Sequence, residues 1–347
     1  MTSLPALSVL DLVPVRSDQT SGDAVRSSLA LARVADDLGY RRYWVAEHHN
    51  MPAEAATNPP VLIAMIAGAT ERIRVGSGGV MLPNHAPLVV AEQFALLEAA
   101  HPGRIDLGIG RAPGTDPVTG YALRHGAGGV SDDNVTNFPD YVDNVIAMMD
   151  ADGVGLRVQG RTHVLNATPR ATSVPMIWLL GSSDYSAQLA AAKGLPYVFA
   201  HHFSGSGTAE ALDLYRSRFQ PSPELAEPRT FLTVNAAVAP TDEEARRVAL
   251  PNLLTMLALR SGKPLHAQEL VEEAEKRELT AAEQQLVDTM VARWVVGSPD
   301  SAREQLLALA AAHGVDEVMV NPVAGAHVGT EPDAAPAREE TLRLLAG

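Results

Sequence analysis

Short apolar runs and amphipathic stretches alternate along this chain. Residues 7–15 (LSVLDLVPV) have the aliphatic bias of a strand, and residues 23–38 follow with Val25, Leu29, Ala32 and Ala35 near helical spacing. Asp23 is the expected N-cap of that helix and Gly39 its stop. A second strand ends at Ala46, and a helix covers roughly residues 60–69. Ile73–Val75 opens a third strand that runs through Gly76-Ser77-Gly78-Gly79-Val80. Residues 87–100 are helical, with Pro87 in the first turn. Residues 104–109 (RIDLGI) are a fourth strand. The alternation resumes with a strand over 176–180, a helix over 184–193 and a strand over 197–200. A helix near 209–219, a strand over 230–238, a helix over 301–313 and a strand over 317–320 complete it.

Eight strands, each followed by helical sequence, form the pattern of parallel βαβ units. Right-handed crossovers close such units into a (β/α)₈ TIM barrel of about 250 residues. We read the whole chain, 1–347, as one barrel domain with insertions after strands 4 and 7, over residues 111–174 and 241–295. The second insertion holds QELVEEAEKRELTAAEQQL, which reads as a solvated helical excursion. The rival is an open doubly wound sheet, because Gly108-Ile109-Gly110-Arg111-Ala112-Pro113-Gly114 superficially matches a dinucleotide fingerprint. Proline takes the place of the third glycine and no helix follows directly, so the barrel is preferred.

Composition narrows the function. A hydrophobic content of 46% describes a globular chain with a substantial core, and a net charge of −14 repels a phosphate backbone. Nucleic acid is therefore not an expected partner. With 0 cysteines, disulfides, thiolate nucleophiles and zinc-thiolate sites are excluded. No apolar run approaches the ~20 residues of a membrane helix. The opening MTSLPALSVLDLVPVRS has no basic segment of signal-peptide type, so a cytoplasmic location is expected.

In a barrel, the C-terminal strand ends converge on one mouth. Strand two delivers Glu47, His48, His49 and Asn50; strand three, Ser77, Gly78 and Gly79; strand four, Gly110 and Arg111. Strand five delivers Gly181, Ser182 and Ser183, strand six His201 and His202, and strand eight Asn321. Two features carry chemistry. Gly181-Ser182-Ser183-Asp184-Tyr185-Ser186 lies between a strand and a helix start, where backbone N–H groups favour a phosphate, and Arg111 can add a bidentate guanidinium. The histidines are the second. His48 and His49 cannot both face the pocket, because neighbours in extended backbone alternate in direction. Glu47, His48 and His202 are competent metal ligands. Metal-hydrolase barrels, however, bring a His-x-His from strand one, and here strand one ends Val13-Pro14-Val15-Arg16, so no metal is expected. Asp11 reads as a satisfied carboxylate in the barrel interior.

EHHN after strand two, VGSGGVMLP on strand three, HPGRIDLGIGRAPGTDP around strand four and WLLGSSDYSAQLAAAKGLPYVFAHHF over strands five and six resemble the bacterial luciferase-like flavin monooxygenases. The likeness is strongest to the single-chain, non-luminescent members of the class. It runs in order over about residues 7–240 and more weakly through GSPDSAREQLLALAAAHGVDEVMV. The resemblance implies a barrel that uses reduced FMN and O2, through a flavin C4a-hydroperoxide, to insert one oxygen atom into a small organic substrate. It makes His48 the active-site base, with Glu47 orienting it. Arg111 grips the flavin phosphate, shared by Ser183 and Ser186 beside Gly181 and Ser182. Gly78 and Gly79 lie where relatives carry a non-prolyl cis peptide under the ring. His49, Asn50, His201 and His202 line the substrate pocket. A separate flavin reductase and a homodimer are also implied. Gly110 stands where luciferase has a cysteine, a departure that argues against light emission. The glycine-rich segment 114–138 suggests a mobile cover, with the 241–295 insertion including the lid. Deazaflavin-dependent hydride transfer on the same barrel is the alternative, ahead of a metal-dependent hydrolase.

Overall fold

Eight parallel strands pair edge to edge until the last meets the first. They are β1 (Ala6–Asp11), β2 (Arg42–Val45), β3 (Arg74–Ser77), β4 (Ile105–Gly110), β5 (Met176–Gly181), β6 (Tyr197–Phe199), β7 (Thr230–Val238) and β8 (Glu317–Pro322). The ring closes through β8, which pairs with β7 and with β1. The computed structural model describes residues 4–112, 116–124 and 133–347. The expected TIM barrel is the observed one.

Alternation along the strands sorts side chains into two cores. Val9, Tyr43, Val75 and Leu107 point outward into the main core beneath the helices. Leu10, Trp44, Trp178, Val198, Phe231 and Met319 fill the barrel interior. Trp44, Trp178 and Phe231 pack with ring centroids 4.9–5.8 Å apart. Below them, charges from strand starts plug the N-terminal end. Arg42 donates to Asp106 and Glu317, both at 2.8 Å, while Arg74 and the Trp44 indole N–H also donate to Asp106. Every buried charge there has an opposite partner, which such burial requires.

The boundaries depart from the sequence pattern in instructive ways. β1 ends at Asp11, not Val15: Val13 adopts φ 51°, and its N–H turns back to the Asp11 carboxylate at 2.8 Å. Asp11 is buried and satisfied as expected, but on the outer face. Arg338 and Tyr43 both donate to it beneath the helix layer. The first helix is Ser21–Asp37, capped by Thr20; Asp23 is the third residue of its capping box rather than the cap.

Part of the 111–174 surplus is barrel. Helix Phe138–Met149 buries Phe138, Val142 and Val145 in the main core. The remainder includes an exposed antiparallel hairpin, Val154–Val158 with Arg161–Leu165. Of the expected mobile cover, 114–115 and 125–132 lie outside the described residues, and Pro117–Leu123 is helical. The second insertion folds as Asp242–Arg260, Val271–Ala274 and Ala281–Val291. It is not merely solvated. Val248, Leu253, Val271, Val287 and Met290 make a core of their own with Trp294 and Val323. That core sits on the C-terminal ends of β7 and β8.

Candidate functional site

Backbone packing shapes the mouth first. The Gly78–Gly79 bond is cis. A Cβ on Gly78 would lie 2.7 Å from the Leu10 side chain, and one on Gly79 would lie 2.7 Å from the Gly108 carbonyl. At Gly79 the neighbour is fixed backbone, so only glycine fits, whereas at Gly78 the end of the Leu10 side chain would have to shift. The Gly-Ile-Gly of the apparent nucleotide fingerprint is likewise strand backbone, since a Cβ on Gly108 would meet the Ser77 carbonyl at 2.1 Å.

The segment after β2 distributes its side chains in opposite directions. Glu47 is 1% exposed and accepts from His49 at 2.8 Å, from His85 at 2.7 Å and from the Met81 N–H at 2.9 Å. Burial opposes its ionisation, but the His49 and His85 hydrogen bonds, the His85 charge and the Met81 amide hold its pKa down at about 2. Its carboxylate therefore organises His49, His85 and the β3 end, not His48. The acid on His48 is Glu54, whose carboxylate bonds Nδ1. Burial lowers the His48 pKa, yet the Glu54 charge and hydrogen bond, with the Glu47 charge, raise it overall. His48 and His49 thus diverge, as alternation required. Asn50, exposed at φ 57°, donates to Thr119 at 3.1 Å and links this lip to helix Pro117–Leu123.

Across the ring, the Arg111 guanidinium stacks 4.0 Å from the centre of the Tyr185 ring. Tyr185 is in the first turn of helix Asp184–Lys193, and the Ser183 side chain does not cap that helix. Arg111 is therefore a half-buried cation at an open helix N-terminus, with no salt-bridge partner among the described residues. Ser182 and Ser183 are exposed beside it. Ser186 is buried and donates to the Ser183 carbonyl at 3.1 Å. Gly181 makes room for it: a Cβ there would lie 1.9 Å from the Ser186 hydroxyl. This cradle offers a guanidinium, two hydroxyls and free N–H groups, a donor set that fits a phosphate.

His201 and His202 begin a helical turn, His201–Ser204, after β6. His201 Nδ1 bonds Thr208 at 2.7 Å and His202 Nδ1 bonds Thr233. Asn321 donates to Asn235, which donates to the His202 carbonyl at 3.1 Å, so β7 and β8 brace the turn. Burial, helped by the charges of His48 and His201, pushes the His202 pKa down to about 3 and keeps it neutral. The mouth thus carries two imidazoles, His48 and His202, from the segments after β2 and β6, and a cation at an open helix N-terminus, Arg111 beside Gly181–Ser186. Sequence reasoning missed Glu54 and His85, which lie in loops with no strand-end signal, and the ring of Tyr185 under Arg111.

The profile of the luciferase-like monooxygenase family matches residues 6–317. A luciferase-like monooxygenase of Escherichia coli strain K12 is 39% identical over 316 residues, 91% of each chain. N-acetyl-S-alkylcysteine monooxygenase of Bacillus subtilis strain 168 is 31% identical, over 90% of this chain and 91% of the relative. Among solved structures, apo-MsnO8 superposes with a TM-score of 0.84 at 37% identity, covering 99% of this chain and 97% of its own. The fold is shared with the FMN-bound oxygenating constituent of 3,6-diketocamphane monooxygenase from Pseudomonas putida, covering 99% and 97%, at TM-score 0.70 and 19% identity. It is shared too with an F420-dependent secondary alcohol dehydrogenase, covering 99% of both chains, at TM-score 0.65 and 13% identity.

Proposed function

The chain belongs to the luciferase-like monooxygenase family and is a monooxygenase, and from that premise we propose that it uses reduced FMN and O2 to insert one oxygen atom into a small organic substrate. The observation that carries FMN is Arg111, stacked on Tyr185 over an uncapped helix N-terminus. One cation and one N-terminal turn match one phosphate, and FMN has one. Reduced flavin, when bound, supplies two electrons to O2, and one oxygen atom leaves as water. The chain does the rest. Arg111, Ser182, Ser183 and the Gly181 turn bind the phosphate end, with Ser186 buttressing that turn from below. Gly78 and Gly79 form a side-chain-free surface for the ring. His48 moves a proton at Nε2, the nitrogen that Glu54 leaves open. Neutral His202, with His49 and Asn50, shapes the substrate side.

The reductase, the dimer and the cytoplasmic location belong to the same proposal. The glycine at 108 is accounted for by its close approach to the Ser77 carbonyl without any nicotinamide, which supports delivery of reduced flavin by a separate reductase. Val61, Met65 and Leu96 are 42–57% exposed on helices Pro59–Ala69 and Pro87–Ala100. Such an apolar stripe fits a second copy. Among the described residues no helix is long and apolar enough to cross a membrane.

Flavin retention tests the reading. Purified protein is titrated with FMN and, separately, with deazaflavin, following flavin fluorescence. FMN is expected to bind, and Arg111→Ala to weaken it by about 30-fold, equivalent to about 2 kcal/mol for a charge-assisted contact. Retention of deazaflavin but not FMN would move the assignment to hydride transfer.

A further inference from the structure

Glu54 is the carboxylate bonded to the His48 ring. Its loop is laced to the end of β1. Glu54 bridges Pro14, the Val15 N–H donates to Ala53 at 2.8 Å, and the Ala55 N–H donates to Val13 at 2.8 Å. The same loop holds the histidine, because the His48 N–H donates to the Ala56 carbonyl at 2.8 Å. Carboxylate and imidazole therefore hang on one braced turn, with side chains 16% and 26% exposed. A carboxylate at Nδ1 fixes the ring orientation and keeps a proton on that nitrogen. Nε2, on the opposite edge of the ring, is then the only nitrogen that gains or loses a proton.

We propose that Glu54 is the positioning residue of this site: it locks His48 through Nδ1 and presents Nε2–H as a proton donor on the flavin side. Once Nε2 has given up its proton, the same nitrogen is the base that the family resemblance implies, so the donor step comes first. The groups facing the imidazole agree. Glu54 from its loop and Glu47 from the β2 end both favour the cation, and His202 from the turn after β6 stays neutral and adds no opposing charge. Glu47 alone would not achieve this, since its hydrogen bonds go to His49, His85 and Met81. The donor role rests on the FMN reading above, whereas the pairing of Glu54 with His48 does not.

The test separates the two. Histidine ring resonances are followed by NMR against pH in the flavin-free protein, with His48→Gln to assign the signal. In the wild type, His48 is expected to titrate above its ordinary value near ~6.5, and its neutral form to carry the proton on Nδ1. Glu54→Gln is expected to lower that titration by about one pH unit, and Glu54→Asp to restore part of it. A neutral form protonated on Nε2, or a wild-type titration below ~6.5, overturns the proposal even if the Glu54 variants do not fold. So does a folded Glu54→Gln protein whose His48 titrates as in the wild type. With FMN and substrate, Glu54→Gln is expected to move the high-pH limb of kcat down by the same amount while leaving substrate KM unchanged. An unmoved limb overturns the donor role. Failure of the wild type to bind FMN would sink the function above while leaving the NMR result standing.

Discussion

Glu47 shows how one buried carboxylate can arrange the lip after β2 without bonding His48. It is almost wholly buried and ionised, and it joins His49, His85 and the Met81 amide, which arrive from two segments. Removing one member of a buried charged network leaves the others uncompensated. Glu47→Gln is therefore expected to cost about 3 kcal/mol at pH 7, read by denaturant unfolding. The sign with pH follows from the direction of its shift. A carboxyl held at about 2, below its usual 4.5, stabilises the fold fully above 4.5 and loses that contribution as pH falls toward 2. The gap between wild type and variant should close over that window; a gap independent of pH would refute the assignment. His48 and Arg111 were legible in the sequence, because their type and their place at strand ends mark them. Glu54 and His85 were not, since hydrogen bonds to them are decided by how loops return.

Elements were legible wherever local pattern and tertiary packing agree. β2, β7 and helix Asp184–Lys193 lie where periodicity puts them. β1 is shorter because an Asp11 side chain captures the Val13 N–H, a local competition that apolar pattern does not encode. Where β3 and β4 cross the mouth, glycine is demanded by close backbone approach. A Gly108→Ala Cβ would sit 2.1 Å from the Ser77 carbonyl and 2.8 Å from the Leu180 side chain. Gly110, two residues on, has only the Val80 carbonyl near it, at 3.9 Å. Gly108→Ala is expected to cost about 3 kcal/mol or to prevent folding, while Gly110→Ala stays within about 0.5 kcal/mol of wild type. Equal melting temperatures for the two variants would contradict this account.

At the scale of the whole molecule, helices Pro59–Ala69 and Pro87–Ala100 expose Val61, Met65 and Leu96, which the proposed dimer would cover. The wild type is expected to scatter light as a dimer at micromolar concentration, and Leu96→Asp as a folded monomer. A monomeric wild type, or a dimeric variant, would remove the stripe from consideration. By itself the sequence determined the closed barrel. The order of strands and helices, the apolar runs and the right-handed crossover leave few other ways to bury so many strands. It also determined where the mouth would be, because strand ends in a parallel barrel share one face. Only the tertiary structure decided the wiring across that face: Glu54 on His48, Glu47 on His85 and Tyr185 beneath Arg111. The reason is range. Apolar periodicity repeats over a few residues and is read locally, whereas a hydrogen bond depends on angstrom-scale placement of groups that meet only after the ring has closed.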